Sequence, residues 1–324
     1  MATAHSAVGG WEIVDLRQLR SPDMAPVLRE QAARWRREFL WDLSGPHEAL
    51  RRFLDSRNLH GHALISEGRL VGYSYFICED HKALLGDLYI LEDWADMEAE
   101  RLLLEQTLRS AALYPGVQRI EGQLLAMSLD PALLEVFGRR PRVFQRLLMV
   151  RERLDDLGPA VPDTRLGDVM LRPWTDYLLE QAAELIGIAY RGHVDSEIND
   201  QYQSFIGARR FLFNTTRHPG CGEFLRQASV VAEPADEDRL CGVCLGTRVD
   251  NEVGHITQLC VLPEYRRRGL AQALLRRSLS GFASRGCRCV SLTVTESNSG
   301  AVRLYESNGI HARARFPALV WESR

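Results

Sequence analysis

The spacing of apolar and polar positions in the first half predicts helices, then a meander of strands, then a helix and a strand. The clearest segment is Met97–Tyr114, a strong helical pattern in which Leu102, Leu103, Leu104 and Leu108 cluster. In chain order the pattern predicts helices Met24–Phe39 and His47–Asp55, strands His62–Ser66, Leu70–Cys78 and Lys82–Leu91, helix Met97–Tyr114 and strand Gln118–Leu124.

A similar order of patterns returns in the second half. It predicts helix Thr175–Tyr190, strands Gln227–Ala232, Leu240–Val249 and Gly254–Leu262, helix Leu270–Ala283, strand Cys289–Thr295, helix Ser299–Ser307 and strand His311–Trp321. Meanders followed by β-α-β connections predict a mixed α/β fold with a mostly antiparallel sheet and helices on both faces.

The repetition indicates a duplication. GDLYILEDW in the first half matches TQLCVLPEY in the second, and LDDLGPAVPDTRLGD between the halves is rich in proline, glycine and acids, as linkers are. We therefore predict a first domain over residues 1–157, a linker over 158–167 and a second domain over 168–324.

Composition and charge exclude several classes of protein. The 324 residues are 45% hydrophobic and 26% charged, as in a soluble globular chain. Lys and Arg number 40 and Asp and Glu 43, a net charge of −3, so no global field favours nucleic acid or an anionic membrane. The sequence has neither a membrane-length apolar run nor a signal peptide at its start. We expect a cytoplasmic protein with no nucleic-acid or membrane partner; the pattern leaves the oligomeric state open.

The odd number of cysteines, seven, favours free thiols in a reducing compartment. Cys241 and Cys244 form a C-x-x-C inside a predicted strand, where the two side chains point to opposite faces. No second cysteine or histidine pair completes a tetrahedral site, so we predict no metal.

The stretch ITQLCVLPEYRRRGLAQALL has the features of an anion site. A strand turns at Pro263, and Arg266-Arg267-Arg268-Gly269-Leu270-Ala271 leads directly into a helix. Backbone N–H groups and the positive end of the helix dipole then converge, and Gly269 leaves room for a phosphate to approach. The pattern predicts a pyrophosphate site; a solvated basic loop is the alternative.

Two motifs in the second half resemble those of the GCN5-related N-acetyltransferase (GNAT) superfamily. Arg266, Gly269 and Ala271 stand on its Q/R-x-x-G-x-G/A acyl-CoA signature. Downstream, NSGAVRLYESNGI is similar to its N-x-x-A-x-x-L-Y-x-x-x-G-F element, departing only at the final position, where Ile310 replaces Phe. A G-x-G-x-x-G dinucleotide fingerprint is absent.

The resemblance implies acetyl-CoA as co-substrate and gives roles to individual residues. The backbone of Cys260 and Val261 would pair with the pantetheine amide, and Asn298 would lie along the pantetheine arm. Tyr305 would place its phenol near the thioester sulfur. The pyrophosphate would be held by the amides of Arg267, Arg268, Gly269, Leu270 and Ala271.

The first half matches less well. Glu92, Asp93 and Asp96 stand where the anion site should be positive, and neither motif is present there. Carboxylates at that position would repel a pyrophosphate. We interpret the first domain as a degenerate copy that has lost acyl-CoA binding.

The acid–base residues are less clearly marked. Many family members have a glutamate base on the strand before the signature, and His255 occupies that position here. An imidazole suits a base near neutral pH, whereas a packed strand histidine is the alternative. Glu252 lies further from the acyl end, and Gln258 cannot act as a base.

The long connection 191–222 is a candidate acceptor region. Asp195 and Glu197, together with Asp200, would attract a cationic amine, or they form a solvated acidic loop. Its aromatic residues would form an apolar wall over the acceptor, or pack in the ordinary way: Tyr202, Phe205, Phe211 and Phe213.

Two function classes follow. The first is an acetyl-CoA-dependent N-acetyltransferase acting on the primary amine of a small molecule or peptide that the sequence does not identify. The second is a non-catalytic acyl-CoA-binding sensor or scaffold. The tyrosine at position 305 favours the enzyme, and the missing glutamate favours the binding module.

Overall fold

The computed structural model describes residues 6–8, 10–157, 165–218 and 222–323. The chain forms two compact units. The first comprises Met1–Glu38, Leu43–Arg146 and Arg315–Arg324, and the second Phe39–Asp42 and Leu147–Ala314. Residues 158–164 of the predicted linker lie outside the described residues, and Arg165 and Leu166 already form a strand.

The first unit carries a sheet in the order β1-β2-β3-β4-β5-β6-β15, antiparallel apart from the parallel pair β5 and β6. Its elements are β1 (Ser6–Val8), β2 (Trp11–Asp15), α1 (Ser21–Phe39), α2 (Ser44–Asp55), β3 (His60–Ser66), β4 (Arg69–Glu79), β5 (Lys82–Ile90), α3 (Met97–Ala112) and β6 (Arg119–Gln123). The last strand of the chain, β15 (His311–Glu322), pairs with β6.

The second unit carries a sheet in the order β7-β14-β13-β12-β11-β9-β8, in which β13 and β14 are parallel and β10 pairs with β12. Its elements are β7 (Arg142–Arg151), β8 (Arg165–Leu166), β9 (Val169–Pro173), α4 (Leu179–Ala189), α5 (Val194–Ile198), α6 (Phe205–Arg217), β10 (Glu223–Phe224), β11 (Val230–Pro234), β12 (Gly242–Asp250), β13 (Val253–Val261), α7 (Leu270–Ser284), β14 (Cys289–Thr295) and α8 (Ser299–Glu306).

The compact units do not follow the consecutive ranges predicted from the sequence. Residues 147–157 and 39–42 belong to the second unit, whereas residues 315–324 belong to the first. Strand pairing explains the difference, since β15 is hydrogen-bonded to β6 and β7 lies beside β14. A strand joins the unit that satisfies its backbone groups, whatever its place in the chain. The domain boundaries themselves stay a prediction.

The mixed α/β fold with a mostly antiparallel sheet is confirmed, with differences in detail. The predicted strand Gln227–Ala232 begins instead as a turn, and β11 starts at Val230. The predicted elements do not include helices α5 and α6 or six of the strands: β1, β2, β7, β8, β9 and β10. Within the described residues no helix combines the length and apolarity that a membrane span requires.

The two faces of the second sheet are covered by different helices. A Cβ on Gly246 or Gly254 would meet the ring of Phe282, so α7 packs closely on that face. Helix α4 contacts β13 and ends at Tyr190, whose hydroxyl reaches Gln258. Since Gln258 pairs with Leu245 rather than with Gly246, it lies on the face opposite α7.

Candidate active site

Strand β13 separates from its neighbour β14 partway along its length. Parallel pairing runs from Val253 to Ile256 and stops at Ile256–Leu292, although β13 continues to Val261. On the other side β13 stays paired with β12, with a bulge at Thr257 between the pairs Ile256–Gly246 and Gln258–Leu245. A bulge bends a strand and increases its twist. The opening between β13 and β14 therefore begins at the bulge.

The bulge also decides which side chains face this opening. Alternation along a regular strand would put His255 and Gln258 on opposite faces. Because Thr257 is bulged, His255, Gln258 and Cys260 are each paired with an odd-numbered residue of β12. Odd-numbered residues of a regular strand lie on one face, and a residue shares the face of its cross-strand partner. All three side chains therefore lie on the face that α4 covers. Apolar alternation does not reveal a bulge, so the sequence assigns Gln258 no role beyond excluding it as a base.

Tyr190, at the end of α4, lies at the centre of this face. Its hydroxyl donates to Gln258 Oε1 over 2.5 Å, and its ring centroid lies 5.2 Å from that of His193. Burial raises the pKa of Tyr190 well above its usual range, with smaller contributions from the nearby groups of Cys260, Asp195, Tyr202 and Tyr305. Tyr190 thus links strand β13 to His193 and Tyr202 of the connection 191–222.

His193 and Asp195 form a polar network with the end of β14 and the start of α8. His193 Nε2 lies 3.2 Å from Asn298 Nδ2, and Nδ1 lies 3.2 Å from the Asp195 amide and 3.6 Å from Asp195 Oδ2. Thr295 Oγ1 donates to Asp195 Oδ1. Asn298 is the N-cap of α8, and its Oδ1 accepts a hydrogen bond from the Ala301 amide. The Nδ2 group of Asn298 is therefore the one that faces the imidazole of His193. His193 is 28% exposed at the side chain, so solvent reaches it.

The predicted anion site has the expected backbone shape. Arg267 and Gly269 have left-handed backbone, with φ of 64° and 79°. Such alternation turns successive amides toward one point. Gly269 is the N-cap of α7 without a side-chain cap, and a Cβ there would meet nothing within 4 Å. The first-turn amides of α7, including those of Leu270 and Ala271, lack intrahelical acceptors.

The arginines of the signature have different surroundings. Arg266 Nε donates to the Val261 carbonyl over 3.1 Å, and Nη2 donates to the Ala189 carbonyl over 2.8 Å. Its guanidinium therefore joins the end of β13 to the end of α4, next to Tyr190. The Arg268 guanidinium lies 5.3 Å from the ring centroid of Tyr265.

His255 is held in the closed part of the sheet. It is 5% exposed, its Nδ1 lies 2.9 Å from Ser291 Oγ, and its ring centroid is 4.8 Å from that of Trp41. His255 precedes the bulge and Cys260 follows it. At the usual rise per strand residue, the five positions between them correspond to roughly 16 Å. These contacts favour the packed-histidine alternative.

The remaining predicted residues divide into two groups. Tyr305 is 7% exposed in the core of the second unit, and Asp195 belongs to the network around His193. Glu197 is exposed on α5. Of the predicted apolar wall, Tyr202 packs between Tyr190 and Phe211, with centroid separations of 4.8 and 5.3 Å, whereas Phe205 and Phe213 are exposed.

The described cysteines are all free thiols. Burial raises the pKa of Cys241 and that of Cys244 to about 12, so both stay protonated at neutral pH. No cluster of metal-ligating side chains occurs in the part of the chain that the structure describes.

The comparisons with known proteins agree with this geometry. Residues 196–310 match the model of the acetyltransferase (GNAT) family. Mycothiol acetyltransferase from Thermobispora bispora is 45% identical over 60 residues, which is 18% of this chain; the aligned stretch spans only 20% of that relative.

Two solved structures extend the likeness to the whole chain at the level of fold. A GCN5-related N-acetyltransferase from Sphaerobacter thermophilus superimposes with a TM-score of 0.70 at 20% identity, covering 98% of both chains. A tandem GNAT protein from the clavulanic acid biosynthesis pathway, solved without AcCoA, gives 0.59 at 15% identity, covering 97% of this chain and 99% of that one. Residues 196–310 therefore match the GNAT family, and the whole chain has the fold of tandem GNAT proteins.

Proposed function

We propose that the second unit transfers an acetyl group from acetyl-CoA to the primary amine of a small molecule or peptide. The observation that carries the proposal is the convergence of two features. The opening after the Thr257 bulge and the uncapped amide end of α7 follow one another directly along the chain. An opened strand offers backbone partners to an amide-containing arm, and the helix end offers a place for its pyrophosphate.

The residues present fit the parts of acetyl-CoA. The αL conformation at Arg267 and Gly269 and the open space at Gly269 suit a diphosphate. The backbone of Cys260 and Val261 lies beyond the last β13–β14 pair and would hold the pantetheine amide. Arg266 would maintain this arrangement through the Val261 and Ala189 carbonyls.

We also propose two acid–base roles. A neutral amine attacks the thioester carbonyl carbon, a C–N bond forms, the C–S bond breaks, and the amine loses a proton. We assign the acceptance of that proton to His193, because it is a partly exposed imidazole next to Asn298, which we place along the pantetheine arm, and the Asp195 carboxylate lies beside its ring. Tyr305 would donate a proton or hydrogen bond to the departing thiolate.

Calorimetry and an acceptor panel test the proposal on the full chain. We expect acetyl-CoA to bind with one site per chain. Incubation with amino sugars, amino acids, small amines and peptides with free N-termini should give an acetylated product, detected by mass. Mass detection is preferable to a thiol reagent, because the chain itself carries seven cysteines.

Each outcome has a distinct meaning. Absence of acetyl-CoA binding would overturn the proposal entirely. Binding without an acetylated product from any acceptor class would favour the non-catalytic sensor or scaffold. Two sites of similar affinity would contradict the interpretation of the first unit as a degenerate copy.

A further inference from the structure

The carboxamide of Gln258 has one satisfied end and one unsatisfied end. Its Oε1 accepts from the Tyr190 hydroxyl and from the Leu259 amide, at 2.5 and 3.2 Å. A backbone N–H only donates, so the Leu259 contact fixes the oxygen on that side and turns the nitrogen away from it. Within the described residues, Gln258 Nε2 has no hydrogen-bond partner.

This unsatisfied nitrogen is a buried group. Gln258 is 4% exposed, and an unpaired donor at such a position destabilises the fold by about 1–3 kcal/mol. Native proteins rarely keep such a group unless something else satisfies it. A ligand atom that accepts a hydrogen bond would do so.

The place of Gln258 on the strand indicates which ligand atom this is. The carboxamide belongs to the first residue after the bulge, on the same face as Cys260, two positions further on. Two strand residues span ~7 Å. If the pantetheine amide pairs at Cys260 and Val261, the thioester lies a comparable distance along the arm, beside Gln258.

We infer that Gln258 donates a hydrogen bond from Nε2 to the carbonyl oxygen of the acyl thioester. This inference rests on the proposed function and adds a catalytic residue to it. The donor polarises the carbonyl and stabilises the negative charge that its oxygen gains during attack. Tyr190 is the positioning residue, since its hydroxyl holds the other end of the carboxamide.

The acceptor amine is a poorer match for this donor. A neutral amine needs its lone pair to attack, and an N–H group bound to that lone pair would oppose the reaction. A protonated amine has no lone pair to offer. The carbonyl oxygen is the ligand atom that both accepts the bond and benefits from it.

Isotope-edited infrared spectroscopy tests the contact without knowledge of the acceptor. Acetyl-CoA labelled with ¹³C at the carbonyl is bound to the full chain, and its carbonyl band is compared in the parent and two variants. Gln258→Met removes the donor at similar volume. Gln258→Asn keeps a carboxamide on a side chain that is one methylene shorter. We expect the band at lower frequency in the parent than in either variant, with affinity for free CoA, which lacks the carbonyl, changed less than threefold.

A matched variant and a kinetic readout separate catalysis from structure. Tyr190→Phe leaves Nε2 present but releases the other end of the carboxamide, so its carbonyl band should lie between those of the parent and Gln258→Met. Once an acceptor is known, the Gln258 variants should lose about 10²-fold in kcat, as expected for removing one oxyanion donor. If Gln258→Met fails to fold, Gln258→Asn decides the matter, because it retains a polar group at the site.

The failures are distinguishable. A parent chain that does not bind acetyl-CoA overturns the proposed function. A parent that binds it with the same carbonyl band as both variants overturns this inference alone. Equal losses of CoA and acetyl-CoA affinity in the variants, without a band shift, would show that Gln258 is structural and also overturn it.

Discussion

The two units contain the same strand–turn–helix segment. They differ in the residues at the bulge of the strand and in the residue that caps the start of the helix. In the first, a bulge at Gly86 falls where the parallel pairing of β5 with β6 ends, and the turn Glu92–Trp94 leads to α3. In the second, the bulge is at Thr257 and the turn Pro263–Tyr265 leads to α7. The opened strand is therefore a property of the fold that both units share.

The helix ends show the first difference. Asp96 is the N-cap of α3, and its carboxylate accepts from the Ala99 amide over 2.7 Å. Glu92 precedes it and pairs with Arg37 at 2.9 Å. The first unit thus supplies its own anion to the amides that Gly269 leaves open in the second unit. One residue at the N-cap thus distinguishes a helix start capped by a carboxylate from one without a side-chain cap.

The bulges show the second difference. A Cβ on Gly86 would lie 2.1 Å from carbons of the Tyr75 ring, so that ring fills the space beside the bulge. The residue after it is Asp87, whose carboxylate accepts from Gln31 Nε2 and from the Leu88 amide. Gln258 holds the corresponding position in the second unit, and among the described residues its Nε2 has no hydrogen-bond partner. The Asp87 carboxylate in the first unit thus has hydrogen-bond donors around it, whereas the Gln258 carboxamide in the second has an Nε2 with no partner among the described residues.

The largest effect should come from removing the open space at Gly269. Gly269→Glu places a carboxylate where the diphosphate would lie, which combines steric exclusion with repulsion. We expect no acetyl-CoA binding measurable by calorimetry. Gly286→Glu is the matched control, since Gly286 has the same φ of 79°, is equally open and lies after the other end of α7. Both changes cost about 1–2 kcal/mol of backbone strain, so unchanged binding in Gly269→Glu would place the phosphates elsewhere.

The two units also contain histidines in contrasting networks, which allows a test of the base. His193→Ala should lower turnover by roughly 10²- to 10⁴-fold, with added imidazole restoring part of it. His47→Ala is the control: His47 is 5% exposed and bonded to Gln31 in the first unit, so it should affect stability alone. Rescue of His255→Ala by imidazole, with none for His193→Ala, would return the role to His255.

Tyr305→Phe addresses an element that the first unit lacks. The change keeps the ring and its packing and removes only the hydroxyl. Turnover should fall about 10²-fold, the low end for losing one general acid, while affinity for CoA stays the same. Kinetics equal to those of the parent would make Tyr305 a packing residue and leave water as the acid. Loss of folding would indicate that the hydroxyl satisfies a buried partner, which also contradicts the catalytic role.

A structural feature can be predicted from the sequence when one short stretch of residues encodes it. The echo of GDLYILEDW in TQLCVLPEY correctly aligned the two bulges and the two turns, because strand, turn and helix start are encoded within one short stretch. Asp96 was recognised as unfavourable to a phosphate for the same reason. Tyr190, His193 and Gln258 were missed because they meet only when α4 packs on β13. The placement of β15 beside β6 was missed because apolar alternation does not say which strand is the partner.

The smallest effect concerns stability in the first unit, at the counterpart of Gln258. Burial raises the pKa of Asp87 to about 7, above its unfolded value of about 3.9. The folded state therefore binds this proton more tightly, and the contribution of Asp87 to stability is fully present below pH ~4 and is lost as pH rises through ~7. The full shift corresponds to ~4 kcal/mol, which we reduce to roughly 2 kcal/mol because Asp87 is only partly shielded from solvent.

Asp87→Asn cannot ionise, so its stability relative to the parent should rise by that amount between pH 4 and 8 in denaturant titrations of the full chain. Altered contacts with Gln31 add an offset that does not depend on pH, so the slope is the readout. Parallel curves for the two proteins would mean that Asp87 is ionised in the fold like an ordinary surface carboxylate, and the contrast with the neutral carboxamide of Gln258 would then be one of charge as well as of hydrogen bonding.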